Sequence, residues 1–139
     1  MQFAGVNYLA VLLAAVASWL LGALWYGLLG RQWLAAQDRT AEDFHAAGRS
    51  PLPFVVSFIA QLVMAFMLAG LLAHIFPREL INARNGALAG AAVWVGFVIT
   101  AMATGYAYQS RKLALLAIDG GYWLGVLLVQ GLVIGLLGL

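Results

Sequence analysis

Residues 113–139 read LALLAIDGGYWLGVLLVQGLVIGLLGL, and Asp119 is the only charged residue among them. A hydrocarbon core about 30 Å thick is crossed by about 20 helical residues, so this stretch is long enough to span a bilayer. Three further apolar stretches of similar length precede it, at residues 6–29, 54–76 and 86–108. The sequence therefore predicts an all-α membrane protein, a single domain over residues 1–139 whose four transmembrane helices form a compact bundle.

The composition excludes several other classes of protein. The 139 residues are 65% hydrophobic and 9% charged, whereas soluble domains carry about 25% charged residues. The predicted helices are apolar on all sides, which the helices of a water-facing bundle are not. The net charge of +2 argues against nucleic acid as a partner, and the absence of cysteine removes disulfide and thiolate chemistry. No signal-peptide cleavage site interrupts the first stretch, so we expect it to be retained.

Lysine and arginine residues set the expected orientation, because cytoplasmic loops carry the excess of positive charge. The first and third loops hold five of these side chains, and the middle loop holds two. The five are Arg31, Arg39, Arg49, Arg111 and Lys112, and the two are Arg78 and Arg84. The sequence therefore predicts cytoplasmic first and third loops and both termini outside, with the bacterial inner membrane as the expected location.

The first loop carries the signature of a short helix. Thr40 precedes an acidic first turn that contains Asp43, and Gly48 stands where such a helix would end. Trp33 and Phe44 would let this segment lie along the membrane surface as an interfacial helix. It is either a capped connection between spans or a docking surface.

Aromatic residues fall where a membrane-interface belt is expected, since indole and phenol rings favour the headgroup region. Tyr106 and Tyr108 close the third span in this way. The predicted lipid anchors are Trp25, Tyr26, Trp33, Tyr122 and Trp123, together with Arg111 and Lys112, whose charges suit anionic headgroups.

A weak similarity links the first and third spans. The pattern runs from tryptophan through glycine to tyrosine and then a positive charge. It occurs from Trp19 to Arg31 and again from Trp94 to Arg111. Two units of two spans would be parallel repeats, an arrangement known in transporters. Chance similarity in so apolar a sequence is the alternative.

Glycines four residues apart predict close helix packing, because small residues let helix backbones approach one another in lipid. The pairs are Gly86 with Gly90, Gly121 with Gly125, and Gly131 with Gly135. We expect a tight bundle that forms an oligomer through the fourth span. Gly131→Ile tests that contact by its effect on oligomer size.

Asp119 is the sharpest functional candidate, since an acid inside an apolar span is costly and often marks an ion or proton path. The alternative is that Asp119 caps a fourth helix that starts later, near residue 120, with Arg111 and Lys112 close by as partners.

Gln61 and Gln130 lie near the middle of the second and fourth spans. They would either bond neighbouring helices together or line a polar path with Ser57, Thr100 and Thr104.

No catalytic motif or metal-ligand spacing is present in the sequence. His74 and His45 are predicted on opposite sides of the membrane, so they cannot share a metal, and His74 alone is a weak candidate for haem. We therefore expect no enzyme activity, no catalytic or metal-binding residue and no cofactor.

Two segments carry a family resemblance. The first is Gly22-Ala23-Leu24-Trp25-Tyr26-Gly27 with Trp33 and the Thr40 to Asp43 turn, and the second is Leu116-Ala117-Ile118-Asp119-Gly120-Gly121-Tyr122-Trp123. Together they resemble a bacterial and fungal family of small four-span membrane proteins catalogued as domain of unknown function 1761. The resemblance covers essentially the whole chain and implies its architecture, but it supplies no catalytic residue. It also implies that an acid is not obligatory at Asp119, where an asparagine is common in the family.

Two hypotheses for function follow. The first is a membrane protein that acts through helix packing among membrane lipids, as a homo-oligomer or an accessory subunit of a larger membrane complex. The alternative is a transporter or channel for a small solute, ion or proton, with a polar path through Gln61, Asp119 and Gln130.

Overall fold

The computed structural model describes residues 3–46, 48 and 50–138, and this part of the chain is helical without a β-strand. The helices are α1 (Tyr8–Ala36), α2 (Ala41–Ala46), α3 (Leu52–Ile75), α4 (Ala83–Val93), α5 (Ile99–Tyr108) and α6 (Leu113–Leu137). A 3₁₀ turn (Arg78–Leu80) follows α3, and a π-helical turn (Trp94–Val98) joins α4 to α5. We call the continuous helix 83–108 the third span.

In the described part of the chain, four helices are long and apolar enough to cross a membrane, as the sequence predicted. They are α1, α3, the third span and α6. The observed bounds differ most at α1, which continues to Ala36 rather than ending near residue 29. Nothing at Arg31 or Trp33 breaks a helix, and the chain turns only at Asp38, whose φ is +56°. Arg31 and Trp33 therefore belong to the first span and not to the loop.

Helix α6 forms the centre of the bundle. It packs against α1 on one side and against α4 on another, while α3 packs mainly on α1. Consequently α6 is the most buried of the four spans, and the third span is the least. The inner faces of α6 therefore contact α1 on one side and α4 on another.

Glycine seams bring α6 against both partners. A Cβ at Gly86 would fall on the carbonyl oxygen of Gly131, and one at Gly135 would fall on that of Asn82. Gly90 meets the backbone of Leu127 in the same way. On the other side of α6, a Cβ at Gly121 would lie 3.1 Å from Trp25, and one at Gly125 would lie 2.9 Å from Leu21. Close helix packing thus relies on these glycines.

The same contacts limit one expectation. Gly131 and Gly135 face α4 of the same chain, so this side of the fourth span is already occupied. A second copy could bind this face only by displacing α4, so an oligomer through the fourth span would need another face. Oligomerisation through another surface stays a prediction.

The π turn changes which residues of the third span face α6. In an unbroken α-helix, at about 100° per residue, Trp94 and Tyr106 would point about 120° apart. A π turn adds one residue without adding rotation, which reduces the angle to about 20°. Trp94 and Tyr106 therefore lie on one side of the span, and both contact α6.

The short helix α2 has the expected cap. The Asp43 N–H donates to Thr40 Oγ1 at 3.1 Å, and the Thr40 N–H donates to Asp43 Oδ2 at 3.0 Å. Gly48 follows with φ +80°, and the Phe44 ring meets Trp33 of α1 edge-on at 6.2 Å between centroids. Arg49, counted in the orientation argument, lies outside the described residues.

Candidate functional site

Asp119 lies in the second turn of α6, where two tyrosine hydroxyls bind it. Helix α6 begins at Leu113 and runs unbroken through Asp119, so this residue is not the helix cap. Tyr26 of α1 donates to Oδ1 at 2.6 Å, and Tyr106 of α5 donates to Oδ2 at 2.5 Å. Distances of about 2.5–2.7 Å are typical of O–H donors on a carboxylate. The side chain is half-buried and joins three helices.

Two indoles hold the backbone on either side of Asp119. Trp25 Nε1 donates to the Ile118 carbonyl at 3.1 Å, and Trp94 Nε1 donates to the Gly120 carbonyl at 2.8 Å. Trp25 and Tyr26 thus direct their polar atoms at α6, and their role as headgroup anchors stays a prediction. Their polar groups fix the position of the carboxylate.

A small polar cavity of about 140 Å³ opens beside Asp119. It is lined by residues at the ends of α1 and the third span, by the start of α6 and by Arg111. These are Trp33, Gln37, Tyr106, Gln109, Arg111, Leu115 and Asp119. Lys112 is bonded elsewhere, to Asp38 of the first loop at 2.5 Å. Within the described residues, Asp119 has no salt-bridge partner.

A larger cavity of about 550 Å³ lies between α1, α2, α3 and α6. Its aromatic walls are Trp19, Tyr26, Trp33, Phe44, Phe54, Tyr122 and Trp123, and Gly22, Ala23, Pro53 and Ser57 complete the lining. Among the residues that the structure describes, no charged side chain contributes to this lining. The two cavities are neighbours, because Trp33 lines both of them. Tyr26 also links them, since its ring lines the large cavity and its hydroxyl binds Asp119 in the lining of the small one. Two of the predicted lipid anchors, Trp33 and Trp123, thus line the large cavity.

A buried polar network crosses the centre of the bundle. The Ser18 hydroxyl lies 2.8 Å from Gln61 Oε1, and Gln61 Nε2 donates to the Tyr122 hydroxyl at 2.6 Å. Gln130 Nε2 donates to Ser18 Oγ at 3.1 Å and to the Gln61 carbonyl at 3.0 Å. Ser18, Gln61 and Gln130 are fully buried, and Gln130 Oε1 has no hydrogen-bond partner among the described residues.

The structure therefore brings Gln61 and Gln130 together but leaves Asp119 apart from them. Asp119 and Gln130 are eleven residues apart on α6, about 16 Å along the helix axis. Tyr122 lies between them and is buried, which does not favour its predicted role as a lipid anchor. Its ring meets that of Tyr26 at 5.2 Å, and no hydrogen bond between them is observed in the described part of the chain.

The remaining polar candidates lie outside these clusters. His74 is exposed near the end of α3, and His45 is exposed on α2. Thr100 and Thr104 donate to carbonyls of their own helix, and Ser57 accepts from Trp19 Nε1 at 3.1 Å. No group of three potential metal ligands occurs within the residues that the structure describes.

Sequence reasoning missed the roles of Ser18, Trp94 and Tyr106. Ser18 was not singled out as a functional candidate, although a hydroxyl in the middle of an apolar span is itself a signal. Trp94 and Tyr106 could not be paired with Asp119 from helical spacing, because the π turn alters that spacing.

These observations define the class of protein, an integral membrane four-helix bundle with a tyrosine-bound acid beside an aromatic cavity. A family model described as "Protein of unknown function (DUF1761)" matches residues 9–135, and the chain belongs to that family. This match confirms the resemblance found in the sequence. No curated protein and no solved structure matches the chain.

Proposed function

We propose that this membrane protein binds a membrane lipid, with one hydrocarbon chain in the large aromatic cavity. The observation that carries the proposal is the cavity itself. At about 550 Å³ it falls within the range of about 300–1,000 Å³ found for ligand sites. It is also open on one side of a bundle that is surrounded by lipid.

The lining favours an apolar occupant. Among the described residues no charged side chain lines it, and the polar groups of Trp19, Tyr26 and Ser57 in its wall are already bonded within the protein. Trp19 Nε1 donates to Ser57 Oγ and to the Phe54 carbonyl, and the Ser57 hydroxyl donates to that carbonyl at 3.0 Å. A polar solute would find few free partners here, whereas a hydrocarbon chain needs none.

Small residues on α1 create the space. Gly22 and Ala23 line the cavity between the large rings of Trp19 and Tyr26. A Cβ at Gly22 would lie 2.8 Å from the Tyr122 hydroxyl, so this glycine also lets α6 approach. Phe44 of α2 closes one side of the cavity, which gives the interfacial helix a place in the binding site.

The hypotheses based on the sequence are less well supported. The accessory or oligomeric role was argued from glycine faces, and those faces are used inside the chain. The transport path through Gln61, Asp119 and Gln130 would need a polar route. Gln61 and Gln130 instead bond to one another's helices, and both side chains are fully buried.

Native mass spectrometry of the protein, extracted in mild detergent, tests the proposal by the lipid that it retains. Ala23→Phe places a ring in the cavity, and we expect it to reduce retained lipid at least several-fold. Ala92→Phe is the matched control, since Ala92 is exposed on the third span away from the cavity. Equal retention by the wild-type protein and both variants would refute the proposal.

A further inference from the structure

The charge at Asp119 has no partner in the described protein, although the site is otherwise fully built. Each carboxylate oxygen accepts one tyrosine hydroxyl, and each has a lone pair left. Tyrosine hydroxyls bring no positive charge. A carboxylate at the edge of the hydrocarbon region without a direct ion pair is costly, and among the described residues Arg111, which lines the same cavity, forms no salt bridge with Asp119. The site therefore lacks one component, a cation that also donates hydrogen bonds.

The lining of the small cavity restricts what this cation can be. Trp33 and Tyr106 present aromatic rings, which attract an organic cation. Arg111 lines the same cavity and would repel an isolated metal ion, but it would bind a phosphate. A negative and a positive side chain in one cavity of about 140 Å³ suit a small zwitterion that carries both an ammonium and a phosphate.

The type of ammonium follows from hydrogen bonding. A primary ammonium donates three hydrogen bonds, whereas a trimethylammonium donates none. The free lone pairs of Asp119 and the side-chain carbonyls of Gln37 and Gln109 are acceptors. Donors are thus required, which favours an ethanolamine over a choline headgroup.

The position of the small cavity identifies the source of this zwitterion. Trp33 forms a wall of both cavities, and Tyr26 contacts the large one with its ring and Asp119 with its hydroxyl. The third span ends at Tyr108 and α6 begins at Leu113, so Asp119 is about 9 Å along α6 from the helix end. A headgroup at this depth has its hydrocarbon chain beside the large cavity.

We infer that the protein selects an aminophospholipid of the phosphatidylethanolamine type. Its ammonium binds Asp119, its phosphate binds Arg111, and one chain occupies the aromatic cavity. This inference rests on the proposed function, because the chain site is the one proposed there. It adds a headgroup site, and binding at that site can be measured separately from binding of the hydrocarbon chain.

The test offers the purified, delipidated protein equal amounts of three lipids with identical chains. They carry ethanolamine, choline and glycerol headgroups, and native mass spectrometry counts the bound molecules. We expect the ethanolamine lipid to be favoured at least about tenfold, since hydrogen bonds to a charged group are strong. Equal binding of all three would overturn the headgroup site while leaving the chain site standing. This wild-type comparison does not depend on the folding of any variant.

Variants then separate the two sites. Asp119→Asn should abolish the preference but keep the total amount of bound lipid, whereas Ala23→Phe should reduce all three lipids together. Asp38→Asn removes an exposed carboxylate that pairs with Lys112 and should change neither quantity. A preference retained in Asp119→Asn would overturn the inference.

Free phosphoethanolamine distinguishes a lipid headgroup from a soluble zwitterion. We expect millimolar concentrations to leave the bound lipid in place, because the free compound lacks the chain contacts. Displacement of the lipid, with the free compound bound at Asp119, would assign the site to a soluble zwitterion and overturn the lipid assignment.

Discussion

Tyr106 is the residue at which the Asp119 site is most easily tested. Tyr106→Phe removes one of two hydroxyl donors and leaves Oδ2 half-buried without its partner. We expect the free energy of unfolding to fall by about 1.5–3 kcal/mol, as for other hydrogen bonds to charged groups. Denaturant titration in mixed micelles measures this. Tyr108→Phe is the control, because Tyr108 is 89% exposed and should be replaced without loss.

Ser18 tests the buried network in the same way. Ser18→Ala removes the hydroxyl between Gln61 and Gln130, and we expect a loss of about 0.6–2 kcal/mol in the free energy of unfolding. Thr104→Ala also deletes a hydroxyl in a span, but that hydroxyl bonds only to the carbonyl of Thr100 on its own helix. A Ser18 variant as stable as the Thr104 variant would show that the network adds nothing.

Residue types were predicted more reliably than residue partners. Asp119, Gln61 and Gln130 are recognisable in the sequence because each is polar within an apolar stretch. Their partners depend on how each helix is rotated about its axis, and tyrosines at helix ends look the same whether they face headgroups or a carboxylate. For this reason Tyr26 and Tyr122 were predicted as lipid anchors, although their hydroxyls face the bundle interior.

At the level of elements, the seam between α4 and α6 allows a sharp comparison. Gly131→Ala places a methyl group on the backbone of Gly86 and should force the helices apart. We expect a loss of about 1–3 kcal/mol in the free energy of unfolding, the usual cost of overpacking. Gly105→Ala has open space and should be neutral or slightly stabilising. Similar stabilities for the two variants would contradict the seam.

Helix α2 should respond to acid through Asp43. The Thr40 N–H, the Thr40 side chain and Arg39 hold the pKa of this carboxyl below its ordinary value. A carboxyl whose pKa is lowered by folding stabilises the folded form at pH values above its ordinary pKa of about 4. This stabilisation is lost as the pH falls through the lowered pKa. We therefore expect the protection of the α2 amides, measured against their intrinsic exchange rates at each pH, to fall below about pH 4. Asp43→Asn should show reduced protection of these amides already at neutral pH, whereas Glu42→Gln should behave as the wild-type protein.

Helix identity was predictable where helix ends were not. Length and apolar character sufficed for four spans, and the Thr40 to Asp43 pattern sufficed for α2. The extension of α1 through Arg31 was missed because charge was taken as the end of the helix. The proposed repeat gains no support from contacts. Trp19 bonds to α3 whereas Trp94 bonds to α6, so the paired tryptophans have different partners.

The orientation of the whole molecule is open to direct measurement, because the chain has no cysteine of its own. Thr40→Cys and Ser110→Cys place a thiol in the first and third loops, and Glu79→Cys places one in the middle loop. We expect a membrane-impermeant thiol reagent to label only Glu79→Cys in intact cells and all three after lysis. The reverse pattern would place both termini in the cytoplasm.

The π turn in the third span has a consequence for the history of the sequence. The turn contains one residue more than a regular helix needs. Trp94 and Tyr106 are twelve residues apart with the turn, and they would lie on the same side of a regular α-helix if they were eleven residues apart, at about 100° per residue. Loss of a residue at Gly96, where a Cβ would meet open space, would leave a regular helix with that alignment intact. A deletion in α1 or α6 would instead rotate everything beyond it by about 100°. Insertions and deletions within the membrane are therefore tolerated best in this one turn.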